Sequence, residues 1–353
     1  MKDLKYLAAL SLPLSAIIGF YFKEHWSFFT PIYAFIIIPV LELLLPQDTS
    51  NLEGKEREEK KKSMLFDWML YLNLPLVFGL LAFLLWDVSN HSYQMYELVG
   101  LVLSMGIVLG TNGINVAHEL GHRHTGYERF MAKALLLPSA YMHFYIEHNR
   151  GHHKNVSTLE DPASSRLNET LYHFWARSVI YGFISAWNLE KKRLGRANQS
   201  VWSLKNEMLR FQLLQLGFWI AIALFFGVKA MLIYTAAAII GFLMLETVNY
   251  IEHYGLARKK VSENRYQRVE PIHSWNSNHV VGRLMLFELS RHSDHHYKPA
   301  KKYQTLEHHD RSPQMPTGYP GMMLLSAIPP VWFYVMNPRI SGVQKHSLQP
   351  SGQ

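Results

Sequence analysis

The sequence contains no cysteine. This absence excludes disulfide bonds, thiol nucleophiles, thiolate-ligated haem and cysteine-held iron–sulfur clusters within the chain. Any metal ion must therefore be held by His, Asp and Glu side chains. The sequence also lacks a Gly-x-Gly-x-x-Gly fingerprint and has no room for a separate nucleotide domain, so we expect no flavin, haem or nucleotide on this chain.

Positive charge is missing from six stretches of the chain, each long enough to cross a bilayer core of about 30 Å at about 1.5 Å per residue. They are 6–22, 26–46, 64–86, 95–117, 211–227 and 230–250. We predict one all-α membrane domain over 1–353, with catalytic segments at 118–210 and 251–340 and a disordered tail at 342–353. The acids within or near the spans, which are costly in lipid, should face the bundle interior or the interface. They are Glu42, Asp67, Glu97 and Glu246.

The distribution of Lys and Arg predicts the orientation. With a cytoplasmic N-terminus, the outer loops 23–25, 87–94 and 228–229 carry only Lys23 and Lys229 of the 35 Lys and Arg residues. This asymmetry predicts cytoplasmic N- and C-termini and a location in the cell inner membrane. It also explains the net charge of +8, so nucleic-acid binding is not needed as an explanation. No stripe of basic and aromatic residues resembles an RNA-binding motif.

Nine of the 19 histidines fall in four clusters at the predicted cytoplasmic membrane edge. The clusters are HELGH (118–122), HNRGHH (148–153), NYIEHYGL (249–256) and RHSDHH (291–296). The candidate metal ligands are His118, His122, His148, His152, His153, His253, His292, His295 and His296. Histidines three or four residues apart share a helix face, and neutral imidazole is the form that binds metal. Nine imidazoles exceed the needs of one zinc ion and suit two metal ions.

The donor type restricts the metal without fixing it. Imidazole suits iron, copper, zinc and nickel; redox chemistry at a lipid edge favours iron, and the residues alone leave copper or two zinc ions open. Carboxylates commonly orient a ligating imidazole through its other ring nitrogen. By adjacency the candidates are Glu119, Glu147, Asp161, Glu252 and Asp294, each of which is equally a candidate for a helix cap or a salt bridge. We expect packing or hydrogen bonding for His124, His143, His273, His279, His308 and His309.

The segment HELGH also matches the H-E-x-x-H helix of zinc proteases, with Glu119 as general base. A protease needs only one further ligand, which leaves the other clusters unexplained. Intramembrane metalloproteases also resemble one another in an Asp-Gly ligand segment, and this sequence contains no Asp-Gly pair. The protease is therefore a remote alternative.

Together the clusters resemble those of the membrane di-iron superfamily of fatty-acid desaturases, lipid hydroxylases and hydrocarbon monooxygenases. Within it, four segments are similar to the AlkB-type alkane monooxygenases: HELGHR (118–123), EHNRGHH (147–153), NYIEHYGL and LSRHSDHH (289–296). EDPASSR (160–166) and PIHSWNSNHVVG (271–282) extend a resemblance that covers roughly residues 40 to 335. Many relatives have LQRHSDHH in the last segment, a departure outside the ligand positions.

The resemblance implies a six-helix membrane bundle with a His-rich cytosolic cap, in which the nine histidines hold two non-haem iron ions. It implies O2-dependent hydroxylation of a medium- or long-chain n-alkane from the bilayer to the 1-alkanol. The electron donor would be rubredoxin, itself reduced by an NAD(P)H-dependent rubredoxin reductase. Basic residues that either steer this donor or merely reflect inner-face charge are Lys298, Lys301, Lys302 and Arg311. The alternatives are a membrane di-iron fatty-acid desaturase or hydroxylase, a xylene-type monooxygenase and, in a different class, a metal-binding membrane protein without catalysis.

Overall fold

The computed structural model describes residues 2–263 and 265–346, whose regular structure is helical apart from one short hairpin. In chain order the helices are α1 (Asp3–Phe22), α2 (Glu24–Leu44), α3 (Gly54–Lys62), α4 (Met64–Asn90), α5 (Met95–Gly121), α6 (Gly126–Leu136), α7 (144–155), α8 (Leu171–Arg196), α9 (Glu207–His253), α10 (Val280–Met285), α11 (His292–Tyr297), α12 (Tyr319–Ser326) and α13 (Pro329–His346). The hairpin pairs β1 (Lys260–Ser262) antiparallel with β2 (Arg265–Tyr266).

Among the described residues, five helices are long and apolar enough to cross a membrane, namely α1, α2, α4, α5 and α9. The 47-residue α9 breaks at Gly227, whose φ of 85° suits glycine and lies outside the helical range. Trp219 Nε1 donates to Thr235 Oγ1 at 3.0 Å, although 16 residues of straight helix span about 24 Å. The helix therefore folds back into two arms, 207–226 and 228–253, which cover the predicted stretches 211–227 and 230–250.

Three tight turns gather at one end of the bundle. Lys23, between α1 and α2, places Nζ 3.1 Å from Oδ1 of Asp87 near the end of α4. Ser89 Oγ donates to the carbonyl oxygen of Phe226, beside the break in α9, at 2.7 Å. Because α5 and the second arm of α9 both run away from this end, their last residues meet at the opposite end of the bundle.

Small residues let those two helices pack closely. A Cβ atom on Gly106 of α5 would lie 2.5 Å from Ile240 Cγ2 and 3.1 Å from the carbonyl oxygen of Ala237. Close backbone contact of this kind is a main source of helix association in a bilayer, where lipid is as apolar as the side chains. Both helices end at predicted ligands, α5 just before His122 and α9 at His253.

A second core holds the C-terminal part of the chain against the bundle. Trp332, Met336 and Ile340 on α13 are fully buried, and Trp332 packs against Tyr250 at a ring separation of 5.2 Å. The helix continues beyond this buried face to His346. The structure thus differs from the predicted disordered tail over residues 342–346, which are helical; the remainder of that tail lies outside the described residues.

Candidate metal centre

The nine predicted ligands meet where α5 and the second arm of α9 end, and they form two groups. The first group is His118, His122, His148, His153 and His295. The second group is His152, His253, His292 and His296. In each group one ligand atom per residue lies within 4.8 Å of all the others. Four segments that are distant in sequence thus supply one continuous site.

In the first group, Nε2 atoms of three rings form a triangle. The His122, His148 and His153 nitrogens lie 3.0 to 3.2 Å from one another. A neutral ring nitrogen carries either one proton or one lone pair, so three of them cannot all satisfy one another. Imidazole–metal bonds of about 2.0–2.1 Å put neighbouring ligands of one ion about 3 Å apart. His118 Nε2 is also buried without a hydrogen-bond partner among the described residues, so the first group fits a metal ion.

The second group has the same spacing. His296 Nε2 lies 2.8 Å from His292 Nε2 and 3.2 Å from His152 Nε2, and His253 Nε2 lies 3.2 Å from His292 Nε2. Glu252 Oε2 is 3.1 Å from the same His292 nitrogen. This carboxylate therefore lies on the side of the ring that faces the group, where it is available as an oxygen ligand rather than as a support behind the ring.

Local helix geometry decides which histidine joins which group. Residues 148–152 form a π-helical turn with i→i+5 bonding. This wider turn places His148 and His153, five residues apart, in the first group and turns His152 towards the second. The α-helical α11 instead places His292 and His296, four residues apart, in the second group and His295 in the first.

Burial keeps these rings in the form that binds metal. It lowers the pKa well below the usual value, and neighbouring histidines lower it further, for His148, His153, His292, His295 and His296. For His122, burial and nearby positive charge lower the pKa to about 3. Neutral rings have no proton to lose when a metal binds.

A carboxylate holds His152 in place. His152 Nδ1 donates to Asp161 Oδ2 at 2.8 Å, and Asp161 Oδ1 accepts from the Ala163 amide at 3.1 Å. Burial opposes charge on both groups, but their attraction outweighs it, raising the pKa of His152 and lowering the pKa of Asp161. With Nδ1 engaged in this way, His152 presents Nε2 to the second group.

A narrow apolar cavity runs between the helices and ends on both groups. Its end is formed by His118 and His148 of the first group and His292 of the second. Its wall comes from α1, α2, α5, the second arm of α9, α10 and α12, and is mostly apolar. Wall residues include Leu12, Phe35, Ile38, Ile107, Met244 and Val248.

Comparison with known proteins identifies the family. Residues 95–325 match the family model described as fatty acid desaturase. The chain belongs to the fatty acid desaturase family. It is 39% identical over 343 residues to the alkane 1-monooxygenase of Pseudomonas putida, which covers 95% of this chain and 85% of that protein. It is 37% identical over 355 residues to alkane 1-monooxygenase 1 of Alcanivorax borkumensis, covering 98% and 88% respectively.

A xylene/toluene monooxygenase hydroxylase component from Pseudomonas putida is more distant, with 29% identity over 94% of this chain and 87% of that protein. The family resemblance that the histidine motifs predict is therefore confirmed. The prediction of a helical chain with membrane-capable helices and a histidine-rich site is confirmed too.

In this desaturase-family chain, the Asp161 contact makes a testable prediction. Asp161→Asn keeps the shape but removes the charge that orients His152, and loss of such a partner typically costs 10–100-fold in metal affinity or activity. With the affinity of the second group lowered by this factor while the first group keeps its own ligands, we expect the protein to retain about half of the wild-type iron after dialysis against a weak chelator. The adjacent exposed Glu160 offers the matched control, since Glu160→Gln should retain full iron. Equal iron in both variants would contradict the role given to Asp161.

Glu119, the carboxylate of the first histidine cluster, contacts groups other than a ligand ring. Glu119 Oε1 accepts from Arg123 Nη2 at 2.7 Å and from the Tyr303 amide at 3.1 Å. A carboxylate held by a buried guanidinium is a poor general base. Together with three further histidines around His118 and His122, this contact disfavours the H-E-x-x-H protease.

The two remaining predicted carboxylates also contact groups other than ligand rings. Glu147 accepts from Ser185 Oγ at 3.3 Å, and burial, with a contribution from nearby Asp161, raises the pKa of Glu147 to about 8. Asp294 accepts from Lys301 Nζ and His309 Nε2, each at 2.7 Å. Their predicted role in orienting ligands remains a prediction.

Two polar residues near the site lie outside the histidine motifs and are not among the predicted site residues. Glu246 is buried beside the second group and accepts from Tyr141 at 2.8 Å; its position in a charge-poor span was the one signal in the sequence. Tyr319 donates to Glu252 Oε1 at 2.7 Å, and nothing local in the sequence marks it.

Most of the histidines left outside the clusters form hydrogen bonds, as expected: His273 with Gln267, His279 with Ser277, His308 with Asp310 and His309 with Asp294. His143 packs on Tyr141, and His124 is exposed.

Proposed function

We propose that this protein is an alkane 1-monooxygenase, which converts RCH3, O2, two electrons and two protons to RCH2OH and H2O. The observation that carries the proposal is the apolar cavity that reaches histidines of both groups. The relatives named alkane 1-monooxygenase, at 37 to 39% identity over nearly the whole chain, support the same reaction.

The cavity suits a substrate without polar groups. An n-alkane can be bound only by removing its surface from water, which contributes about 0.8 kcal/mol per CH2. Ile107 and Thr111, one turn apart on α5, line the cavity on the way to His118 at its end. An alkane from the bilayer would lie along this wall with its terminal methyl group at the histidines.

The two groups would hold one non-haem iron ion each, through five and four histidines, with Glu252 as an additional oxygen donor. Iron bound there supplies the redox chemistry of O2 activation. The chain itself positions the substrate and excludes water. Phe144 stacks on His148 at a ring separation of 4.7 Å, and Tyr319 holds Glu252 beside His292. Exclusion of water by the apolar wall of the cavity strengthens electrostatic interactions within the site and limits side reactions.

The proposed topology has six membrane spans, with the two arms of α9 counted separately. The gathered turns near Lys23, Ser89 and Phe226 would lie outside, and the histidine groups in a cytosolic cap. This arrangement is supported by the near absence of positive charge from those turns. It places both termini in the cytoplasm and the protein in the cell inner membrane.

Rubredoxin is the proposed electron donor, with an NAD(P)H-dependent reductase behind it. The basic residues suggested for steering are mostly engaged: Lys301 pairs with Asp294, Lys302 with Asp67 and Arg311 with Glu270. Long-range attraction of an acidic donor therefore depends on the net positive potential of the cytosolic face and on the exposed Lys298, rather than on four free cations.

Product analysis tests the function. Cells expressing the protein with rubredoxin and its reductase should convert octane or hexadecane to the 1-alcohol, and cells lacking the donor pair should not. Unsaturated membrane lipid without alkanol would assign the chain to the desaturase alternative. Oxidation of xylene in preference to both alkanes would assign it to the xylene-type alternative.

The cavity wall predicts the dependence on chain length. Thr111 and Ile107 line the cavity about two and three turns, respectively, before His118 along α5. Ile107→Trp should shorten the cavity and reduce hexadecane conversion at least about tenfold while sparing octane, since one buried turn of chain is lost. Thr111→Trp, closer to the histidines, should also impair octane. Ile239→Trp, at an exposed position on α9, should change neither; unchanged profiles in all three would contradict this path.

A further inference from the structure

A basic groove lies beside the metal centre, where α6, α7 and the start of α9 meet. Four cations line it, namely Arg129, Lys133, Arg150 and Arg210. Among the described residues that line it, the one acid is Glu207, the first residue of α9. The groove is not part of the alkane cavity or of either histidine group.

The cations in the groove outnumber their partners. Glu207 is shared by three of them: Lys133 contacts Oε1, Arg150 Nη2 lies 3.2 Å from Oε2, and Arg210 Nη2 lies 3.8 Å from Oε1. Arg129 is exposed and has no ion-pair partner among the described residues. Arg150 also reaches Glu190 at 2.9 Å, but Arg193 competes for that carboxylate. The groove thus retains an excess of positive charge, which a further anion would reduce.

The other wall of the groove is apolar and open. Phe130 on α6 is 69% exposed and Leu214 on α9 is 53% exposed, and both line the groove. Leu214 lies two turns into the first arm of α9, about 10 Å beyond Glu207 along the helix axis. The cations near the start of α9 match the charged headgroup of a lipid. The exposed apolar side chain about two turns further along α9 matches its acyl chains.

We propose that this groove binds an anionic phospholipid of the inner leaflet, with its phosphate between Arg129 and Arg210 and its chains along Phe130 and Leu214. The proposal rests on the proposed membrane orientation but not on the reaction. Guanidinium groups suit phosphate oxygens because they donate two parallel hydrogen bonds. A soluble phosphate would use the cations alone, whereas a lipid would also cover the apolar wall.

The site has a structural link to the metal centre. Arg150 lies in the π-helical turn between His148 and His152, and its guanidinium faces the groove. An anion there would offset the repulsion among Arg150, Lys133 and Arg210. Their carboxylate partners in the structure are the shared Glu207 and, for Arg150, also Glu190. Lipid bound in the groove would therefore steady the turn that divides His148 and His152 between the two groups.

Native mass spectrometry of the purified full-length holoprotein, released from nanodiscs of equal phosphatidylglycerol and phosphatidylcholine, tests this assignment. The wild type should retain phosphatidylglycerol in preference to phosphatidylcholine. Arg129→Gln/Arg210→Gln should lower that preference about thirtyfold, since each of the two basic residues near the surface contributes about 1 kcal/mol to anionic-lipid binding. Lys61→Gln/Lys62→Gln, which removes the same charge from exposed positions on α3, should not lower it.

Two further measurements distinguish a bound phospholipid from free phosphate and control for misfolding. Leu214→Glu places a carboxylate on the apolar wall and should abolish retention while the variant still elutes as a folded, metal-loaded protein. Excess inorganic phosphate should leave the retained lipid in place. No preference in the wild type, equal preference in the two double variants, or full displacement by phosphate would overturn the phospholipid assignment.

Discussion

His153→Ala is expected to abolish alkane hydroxylation and to remove the metal of the first histidine group. The ring nitrogen of His153 lies 3.0 to 3.2 Å from those of His122, His148 and His295, so its loss opens the centre of that group. His292→Ala should do the same to the second group, where His292 Nε2 contacts His253 and His296. Each variant should keep about half of the wild-type metal content, because the other group retains its own ligands.

Metal per chain by elemental analysis, alongside 1-octanol formation, measures both effects. His124→Ala is the matched control, since His124 is exposed and only two residues beyond a ligand; it should retain metal and activity. A His153→Ala variant with wild-type turnover would remove the first group from the mechanism. Loss of all metal from either single variant would mean that the two groups do not load independently.

Arg123→Leu is expected to lower the free energy of unfolding by about 3–5 kcal/mol, the usual cost of leaving a buried charge without its partner. Arg123 Nη2 lies 2.7 Å from Glu119 and Nη1 lies 3.2 Å from Asp67, and all three side chains are buried. Lys302 still pairs with Asp67 at 2.7 Å, so Glu119, next to the ligand His118, is the carboxylate left uncompensated. Metal should be lost together with stability.

Thermal unfolding in detergent, followed by loss of helical signal, measures the stability change. Arg196→Leu removes an exposed arginine at the end of α8 and should change stability little, since isolated surface charges contribute little. Arg123→Lys should recover part of the loss, because it restores one charge but not the two-armed contact. A wild-type transition for Arg123→Leu would show that the pair with Glu119 is not a structural requirement.

Local spacing predicts part of the grouping of the histidines. His118 and His122 share a group as four-residue spacing on a helix indicates. The same rule does not place His148 and His152, because residues 148–152 adopt a π-helical turn that no residue pattern announces. The division into five and four ligands therefore becomes visible only in three dimensions.

Long-range partners account for the rest of what the sequence could not predict. Adjacency suggests Glu147, Asp161 and Asp294 alike as supports for ligand rings. The fold distinguishes them, because a loop returns Asp161 to His152, whereas Glu147 and Asp294 contact other groups. The Tyr303 amide that binds Glu119 is 184 residues away. Apolar stretches without positive charge predict the long helices. The sharp reversal in α9 instead depends on the positive φ of one glycine, Gly227.

The position of α11 near the end of the chain has a consequence for biogenesis. The first group needs His295, and the second needs His292 and His296, so neither is complete until α11 has been synthesised. Before then, the nascent protein displays His118, His122, His148 and His153 as an incomplete nitrogen site of the kind that zinc, with its preference for four ligands, readily occupies. With the proposed iron pair, correct metallation would depend on iron entering after translation of the last cluster. A cell that overproduces the protein under zinc excess should then accumulate mismetallated protein.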